Sequence, residues 1–325
     1  MNNQPVSKLK MFAKNNQIGM ALLISLALFI ITVILNPKSL NVNAFGSIFA
    51  LTAMLAVAAA GQTLVIISDG IDMSVGATMS MTAILTVSIM QGKDSFGLFI
   101  TALVVCVGVG AIVGLCNGMG AVKAGLPPMV VTLYISNIVT RLQYVFTGGT
   151  PKYTSVPDWY RATITTRLFR FLPTIVFFAL AVYLVVYFLL NRTRYGQQLY
   201  LTGNNNRAAY LTGVKTTKVK VMNYTIAGAM AGFAGLIGAG NSGFIKCGTF
   251  ESMTMESIVA VVIGGTLLSG GKGSYTGTAA GALLLIVLSN CLAVLQVTDS
   301  MKNLIMGVVL IILLTAYNRA KPVRQ

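Results

Sequence analysis

Long apolar stretches, separated by short polar ones, follow one another through nearly the whole chain. A helix needs about 20 mostly apolar residues to cross the hydrocarbon core of a bilayer. Ten stretches meet or approach this length, which predicts an all-α membrane helix bundle of about ten transmembrane helices in a single domain, 1–325. The ten are 18–36, 46–68, 73–90, 97–119, 126–146, 172–190, 221–240, 255–270, 275–296 and 302–318.

Three of the ten stretches depart from a plain apolar helix. The stretches 73–90, 126–146 and 255–270 are short or contain glycine, proline or charge. We therefore expect some of them to be broken or re-entrant rather than continuous crossings. The first stretch, 18–36, is followed by no small-residue cleavage site, and we interpret it as a retained helix rather than a signal peptide.

Glycines recur four residues apart on several predicted helices. Small residues on one helical face let two backbones approach each other closely in a membrane. The spacing therefore predicts tight helix–helix packing in a compact bundle, in preference to direct contacts with a substrate. The positions are Gly110, Gly114 and Gly118, then Gly228 and Gly232, then Gly273, Gly277 and Gly281.

Composition agrees with a membrane protein. Hydrophobic residues make up 55% of the chain and charged residues only 9%, whereas soluble domains carry about 25% charged residues. The net charge is +16, but the basic residues fall mainly between the apolar stretches, as in membrane proteins. No basic stripe with interleaved aromatic residues is present, which argues against a nucleic-acid partner and leaves membrane lipid as the surroundings.

The distribution of basic residues predicts the orientation. With ten crossings and the N-terminus inside, 14 Lys and Arg residues fall in inner segments and 8 in outer ones. Both termini, including the tail 1–17, are therefore expected in the cytoplasm. The long segment 147–171 then faces outward and 191–220 faces inward. The outer segment holds Trp159 and Tyr160, which suit the membrane–water interface.

The residues that usually carry chemistry are missing or scattered. The chain has no histidine, and its four cysteines form no CxxC pair, so no metal site or disulfide is expected. No nucleophile–base pair appears either, which makes a membrane enzyme the least favoured class. The run Gly270–Gly273 lacks the features of a phosphate-binding P-loop. No cofactor is expected to bind this chain.

Two polar or glycine-rich breaks are candidate hinges or gates. In the first, Asp72 is followed by Ser74 and Gly76, and its carboxylate is placed to accept N–H groups where the next helix begins. A charge at mid-membrane costs at least about 2.5 kcal/mol, so such donors are needed. Substrate contact by Asp72 and proton coupling by the pair Asp69 and Asp72 are the alternatives. The second break contributes Gly264, Gly265, Gly270 and Gly271.

The inner segment 191–220 predicts a short helix of its own. Asn204, Asn205 and Asn206 can cap a helix over 207–211, and Gly213 can stop it. The alternative is a solvated basic loop. A short helix that projects into the cytoplasm is also what a partner ATPase would hold.

Five short motifs occur in order along the chain. They are GIDMSVG at 70–76, LPPMVVTL at 126–133, TRYG at 193–196, the residues Gly203-Asn204, Ala208-Ala209 and Gly213-Val214, and VIGGT followed by LSGG within 262–271. Together they resemble the permease subunits of ribose-type sugar ABC importers. The resemblance extends over about residues 46 to 317.

This resemblance implies a multi-pass protein of the bacterial plasma (inner) membrane that moves a sugar or sugar-like solute and catalyses no reaction. ATP and Mg²⁺ would bind a separate cytoplasmic ABC ATPase, and an extracytoplasmic solute-binding protein would deliver the substrate. A second permease copy or a paralogue would complete the pathway. The residues that it assigns to ATPase coupling are Gly203, Asn204, Asn206, Arg207, Ala208, Ala209 and Gly213.

Two other transporter hypotheses stay open. A permease of the same fold could carry nucleosides or another small polar solute. An ion-coupled secondary transporter could instead use Asp69, Asp72 or Glu256, although these carboxylates lie near the ends of the predicted crossings. The sequence assigns no residues to the substrate pathway. Disrupting Ala208 or Gly213 is expected to abolish uptake and to leave membrane insertion intact.

Overall fold

The computed structural model describes residues 17–168 and 171–298, with residues 301, 302, 304, 305, 307, 308 and 311. Its helices in the two continuous ranges are α1 (Gln17–Leu35), α2 (Val42–Ile67), α3 (Val75–Met90), α4 (Phe96–Gly118), α5 (Pro128–Thr147), α6 (Asp158–Thr165), α7 (Ile175–Arg192), α8 (Arg194–Asn204), α9 (Asn206–Leu211), α10 (Thr216–Asn241), α11 (Met253–Ile263) and α12 (Tyr275–Val294). A 3₁₀ turn, Pro37–Ser39, precedes α2, and a π-helical turn, Met119–Lys123, extends α4.

Among the described residues, seven helices are long and apolar enough to cross a membrane. They are α1, α2, α4 with its π-helical extension, α5, α7, α10 and α12. The prediction of an all-α membrane bundle is therefore confirmed. The predicted crossing 302–318 lies largely outside the described residues.

The two shorter apolar helices are α3, with 16 residues, and α11, with 11. The stretch 255–270 is not one continuous helix, because α11 ends at Ile263, which agrees with the expectation that some of the three weak stretches are broken. Gly265, two residues later, has a φ of +89°, a left-handed conformation that a helix cannot continue through. Eleven residues extend about 16 Å, roughly half of the hydrocarbon thickness. In contrast, α5 is continuous, with Pro128 as its first residue.

The centre of the bundle is formed by α2, most of which is buried, and by the crossing of α4 with α10. At that crossing the glycines remove the side chains between two backbones. A Cβ atom on Gly110 would lie 2.2 Å from the carbonyl oxygen of Gly228, and one on Gly114 would lie 2.0 Å from that of Tyr224. The close packing predicted from the glycine spacing is confirmed here.

Helix α1 lies at the periphery. Its main packing partner is α12, where Ala21 meets Ala280 and Leu284. Most of its other side chains are exposed, which suits contact with lipid tails. The first and the last fully described helices of the chain therefore lie side by side.

The outer segment folds into α6 and a two-stranded antiparallel pair, β1 (Arg167–Leu168) and β2 (Leu172–Pro173), in which Arg167 is opposite Pro173. The expectation that Tyr160 lies at the membrane–water interface is wrong. Its side chain is only 2% exposed, and its hydroxyl donates a hydrogen bond to the carbonyl of Leu236 at 3.0 Å. The hydroxyl is therefore hydrogen-bonded inside the protein and not to interfacial water. Trp159 is half-buried and packs edge-on against Tyr160.

Candidate functional site

The chain between α2 and α3 is an irregular break, 68–74, held in place by α5. Asp69 has a φ of +64°, which is uncommon for a residue with a side chain. The Thr132 hydroxyl oxygen accepts the N–H of Met73 at 3.0 Å, and the same hydroxyl donates to the carbonyl of Ile71 at 3.2 Å. One side chain of α5 therefore satisfies both a donor and an acceptor of the non-helical backbone in this break.

Asp72 lies in a buried polar cluster with Ser74 and Asn117. The carboxylate oxygen Oδ1 accepts the backbone N–H of Ser74 at 2.8 Å and its hydroxyl at 2.7 Å. The amide of Asn117, on α4, donates to the same oxygen at 3.2 Å and to the Ser74 hydroxyl at 2.7 Å. Asp72 is 1% exposed. Asp72 thus accepts the N–H of Ser74, the residue just before α3, but it is not the helix cap, because the N-cap residue is Ser74 and α3 has no side-chain capping hydrogen bond.

The first two turns of α3 are attached to the start of α11 and to the segment just before it. The N–H of Gly76 donates to the Thr254 hydroxyl at 2.9 Å, and the N–H of Phe250 donates to the Ser80 hydroxyl at 2.9 Å. These two bonds run in opposite directions between the elements. The predicted hinge residues Asp72, Ser74 and Gly76 thus form one bonded region that also includes Thr254.

The inner segment 191–220, called the coupling segment below, contains α8, whose N-cap Thr193 accepts the N–H of Gly196. Asn205 then caps α9 by accepting the N–H of Ala208 at 2.9 Å, and Gly213, with a φ of +87°, follows the helix end. The predicted short helix is confirmed, with one residue more at its start. Its exposed residues are Asn206, Arg207, Ala208, Tyr210 and Leu211, whereas Ala209 is buried.

The coupling segment meets the two breaks at one backbone contact, which we call the inner junction (Ile67, Gly203, Asn204, Gly270 and Gly271). The carbonyl of Ile67 accepts the N–H of Gly271 at 2.9 Å. A Cβ atom on Gly203 would lie 1.8 Å from the same carbonyl oxygen, so only glycine fits there. Gly270 lies against Gly203 and Asp69, and Gly271 lies against Asn204.

The predicted hinge glycines do not form one group. Gly270 and Gly271 belong to the inner junction, together with the coupling residues Gly203 and Asn204. Gly264 and Gly265 follow the end of α11, where Gly264 packs against Gly277 of α12. The second break therefore has one end on α12 and the other on the coupling segment.

Beside the inner junction, Asp69 faces Lys220 of α10, with 3.9 Å between Oδ2 and Nζ. Partial burial raises the pKa of the Asp69 carboxyl, and the positive charge of Lys220 acts against this rise. The two residues border a small cleft of about 150 Å³ that Tyr224 and Asn206 also line. A residue of α9 thus shares a cavity wall with the first break.

The structure identifies residues that sequence reasoning missed. Asn117 and Thr132 bond to the first break from α4 and α5, and Tyr210 and Leu211 form the exposed apolar part of α9. Only the last two left a signal in the sequence, since they are large apolar residues in a polar loop. No cluster of three or more potential metal ligands occurs among the residues that the structure describes.

Comparison with known proteins agrees with this architecture. Residues 44–314 match the family described as "Branched-chain amino acid transport system / permease component". The ribose import permease protein RbsC of Escherichia coli (strain K12) is 30% identical over 98% of this chain and 99% of its own length. RbsC of Bacillus subtilis (strain 168) is 32% identical over 88% of each chain.

A third relative is the autoinducer 2 import system permease protein LsrC of Yersinia pseudotuberculosis (serotype O:1b, strain IP 31758), 32% identical over 92% of this chain and 84% of its own. No solved structure matches the chain. The relatives are transport components rather than enzymes, and with the helices above they identify a multi-pass protein of the bacterial inner membrane. The chain therefore belongs to the ribose-type family of ABC importer permeases.

Proposed function

We propose that the chain is the membrane channel subunit of an ABC importer for a sugar or sugar-like solute. A cytoplasmic ATPase supplies the ATP–Mg²⁺ chemistry, and an extracytoplasmic binding protein delivers the solute. A second copy or a paralogue completes the pathway. The substrate class is supported by the relatives named for ribose and autoinducer 2 import.

The observation that carries the ATPase contact is the exposed face of α9. Tyr210 is 68% exposed and Leu211 is 78% exposed, at the end of a helix that Asn205 caps. Large apolar side chains at the tip of a polar segment favour a protein partner, because aromatic and apolar anchors supply most of the binding energy at interfaces. The helix just before α9 ends at the inner junction, where Gly203 contacts Ile67 and Gly271. A movement of α9 can therefore be passed to both breaks.

The function is tested in proteoliposomes that contain the chain with or without its partner ATPase, with radiolabelled D-ribose as the probe. We expect uptake only when the ATPase, ATP and the binding protein are all present. Uptake by the chain alone, driven by a proton or sodium gradient, contradicts the proposal and favours the ion-coupled alternative. ATP-driven uptake of a nucleoside but not of ribose supports the importer function and contradicts a sugar as its substrate.

Leu211→Glu is expected to weaken the binding of the ATPase by about 30-fold, because loss of an apolar anchor costs about 2 kcal/mol. The measurement is the amount of ATPase that co-purifies with the permease, together with uptake. Thr217→Glu is the matched control, since it adds the same charge to an exposed residue of the inner segment outside α9. Equal loss in both variants, or none in Leu211→Glu, contradicts the contact.

A further inference from the structure

Helix α5 has three different sides. Ser136, Asn137, Thr140, Arg141 and Tyr144 are spaced so that they fall on one side of the helix. This group is called the polar arc below. Its members include the one charged residue of the helix, Arg141, which lies well inside a segment long enough to cross the membrane.

Of the other two sides of α5, one packs inside the protein and the other is exposed and apolar. Gln143 points into the protein, where its amide donates to the carbonyl of Ala77 at 3.1 Å and its oxygen accepts the N–H of Gly248 at 3.0 Å. A third side carries exposed apolar residues that suit lipid tails or a neighbouring subunit. These are Tyr134, Ile138, Leu142 and Val145.

The polar arc does not suit lipid. An arginine near the centre of a membrane helix costs about 2.5–3.5 kcal/mol, so such residues face a water-filled cavity or a partner. Here the arc borders an open cavity of about 550 Å³. The opposite wall of this cavity is formed by Met73 and Ala77 near the start of α3 and by Glu251, Thr254 and Met255 near the start of α11.

The two charged residues of the cavity, Arg141 and Glu251, form no ion pair within the part of the chain that the structure describes. Lys220 and Asp69 form the one ion pair within 4.0 Å among the described residues, so Arg141 and Glu251 are not joined to each other or to other charges there. Two opposite charges that share a cavity without pairing leave one strong donor and one strong acceptor for a third molecule. The amide of Asn137 and the ring and hydroxyl of Tyr144 add to this set.

We propose that this cavity is a substrate subsite on the transport route, built for a neutral polyhydroxylated solute, with Arg141, Asn137 and Glu251 as its binding residues. The inference rests on the proposed importer function. A net anion would be repelled by Glu251 and a net cation by Arg141, so the pair suits a solute without net charge. Among such solutes the proposed importer function favours a sugar, whose hydroxyl groups can use both residues as hydrogen-bond partners. The volume is within the range of about 300–1,000 Å³ found for small-molecule sites.

Two residues of the cavity wall are bonded to the elements around the candidate hinge Asp72, Ser74 and Gly76. Thr254 lines the cavity, and its hydroxyl also accepts the N–H of Gly76 in the first turn of α3. Met73, another lining residue, is held by Thr132 of α5. A rearrangement of the first break therefore alters the wall of the subsite directly.

The route is tested by cysteine labelling, because water reaches only one side of α5 if the proposal holds. In a version with Cys106, Cys116, Cys247 and Cys291 replaced, single Asn137→Cys and Arg141→Cys variants are compared with Ile138→Cys and Leu142→Cys on the apolar side. A charged methanethiosulfonate reagent is expected to modify the first pair at least about 10-fold faster. Equal rates, or no modification of the polar arc, overturn the route.

The substrate class is tested by D-ribose uptake in the complete transporter. Arg141→Leu is expected to lower uptake about 10-fold or more at unchanged protein level, with partial recovery in Arg141→Lys. Leu142→Ala is the matched control and is expected to keep uptake. Equal loss in Arg141→Leu and Leu142→Ala overturns the subsite.

The two experiments separate failure of the subsite from failure of the proposed function. If the unmodified protein shows no ATP-driven uptake of ribose, the importer function fails, and the assignment of a sugar to the subsite fails with it. The labelling contrast needs no substrate and still decides the route. If uptake is ATP-driven and both sides of α5 label equally, the importer stands and the subsite is overturned.

Discussion

Gly114→Val is expected to leave almost no folded protein in the membrane. The new side chain would begin 2.0 Å from the carbonyl oxygen of Tyr224, and the nearest atoms are backbone that cannot rotate away. Overpacking of a core typically costs about 1–3 kcal/mol, and a clash with backbone belongs at or above the upper end. In a bilayer, close packing is itself a main force that joins helices, so α4 and α10 would separate.

The measurement is the fraction of the expressed protein that remains monodisperse in mild detergent, with its melting temperature. Gly108→Val is the matched control on the same helix, because a Cβ atom at Gly108 meets nothing within 4 Å. We expect the control to accumulate and melt like the unmodified protein. If both variants behave alike, the crossing of α4 and α10 does not depend on close backbone contact.

Asp72→Leu is expected to destabilise the protein by about 3 kcal/mol or more, and Asp72→Asn by far less. The carboxylate oxygen is the shared acceptor for the Ser74 N–H, the Ser74 hydroxyl and the Asn117 amide. Each buried donor that loses its acceptor costs about 1–3 kcal/mol. Asparagine keeps an oxygen at the same position, so the donors keep a partner without the negative charge.

The comparison also distinguishes two roles of Asp72. Thermal unfolding in detergent gives the stability difference, and uptake by the complete transporter gives the functional one. If Asp72 is a structural acceptor, Asp72→Asn keeps most of the uptake. If Asp72→Asn accumulates normally but transports nothing, the charge or the proton of this carboxyl is essential, and the ion-coupled alternative regains support.

Much of the membrane topology follows from hydropathy, because lipid imposes a fixed length on each crossing. The stretch 255–270, one of the three weak ones, shows the limit of that rule. The stretch still contains Leu267 and Leu268 after Ile263, but the chain turns at Gly265, and Gly264 packs against Gly277 of α12. Hydropathy reports whether a segment avoids water and not whether it is helical, so only the two adjacent glycines hinted at the end.

Local and distant features of the candidate site differed in how far they could be predicted. The helix α9 was predictable because its cap, Asn205, and the glycine after it, Gly213, act within ten residues of each other. The inner junction joins Ile67, Gly203 and Gly271, and the Asp72 cluster needs Asn117 from another helix. A single sequence carries no record of such pairs, since each residue is ordinary in its own segment.

The side-by-side packing of α1 and α12 has a consequence for the order of biosynthesis. About 240 residues separate the end of α1 from the start of α12, so at about 5–20 residues per second the ribosome needs roughly 10 to 50 seconds to make them. During that interval α1 is without its main partner. Its outward side chains, such as Leu22, Leu23 and Leu26, are apolar and compatible with lipid. Helix α1 is therefore made well before it can reach its main native contact.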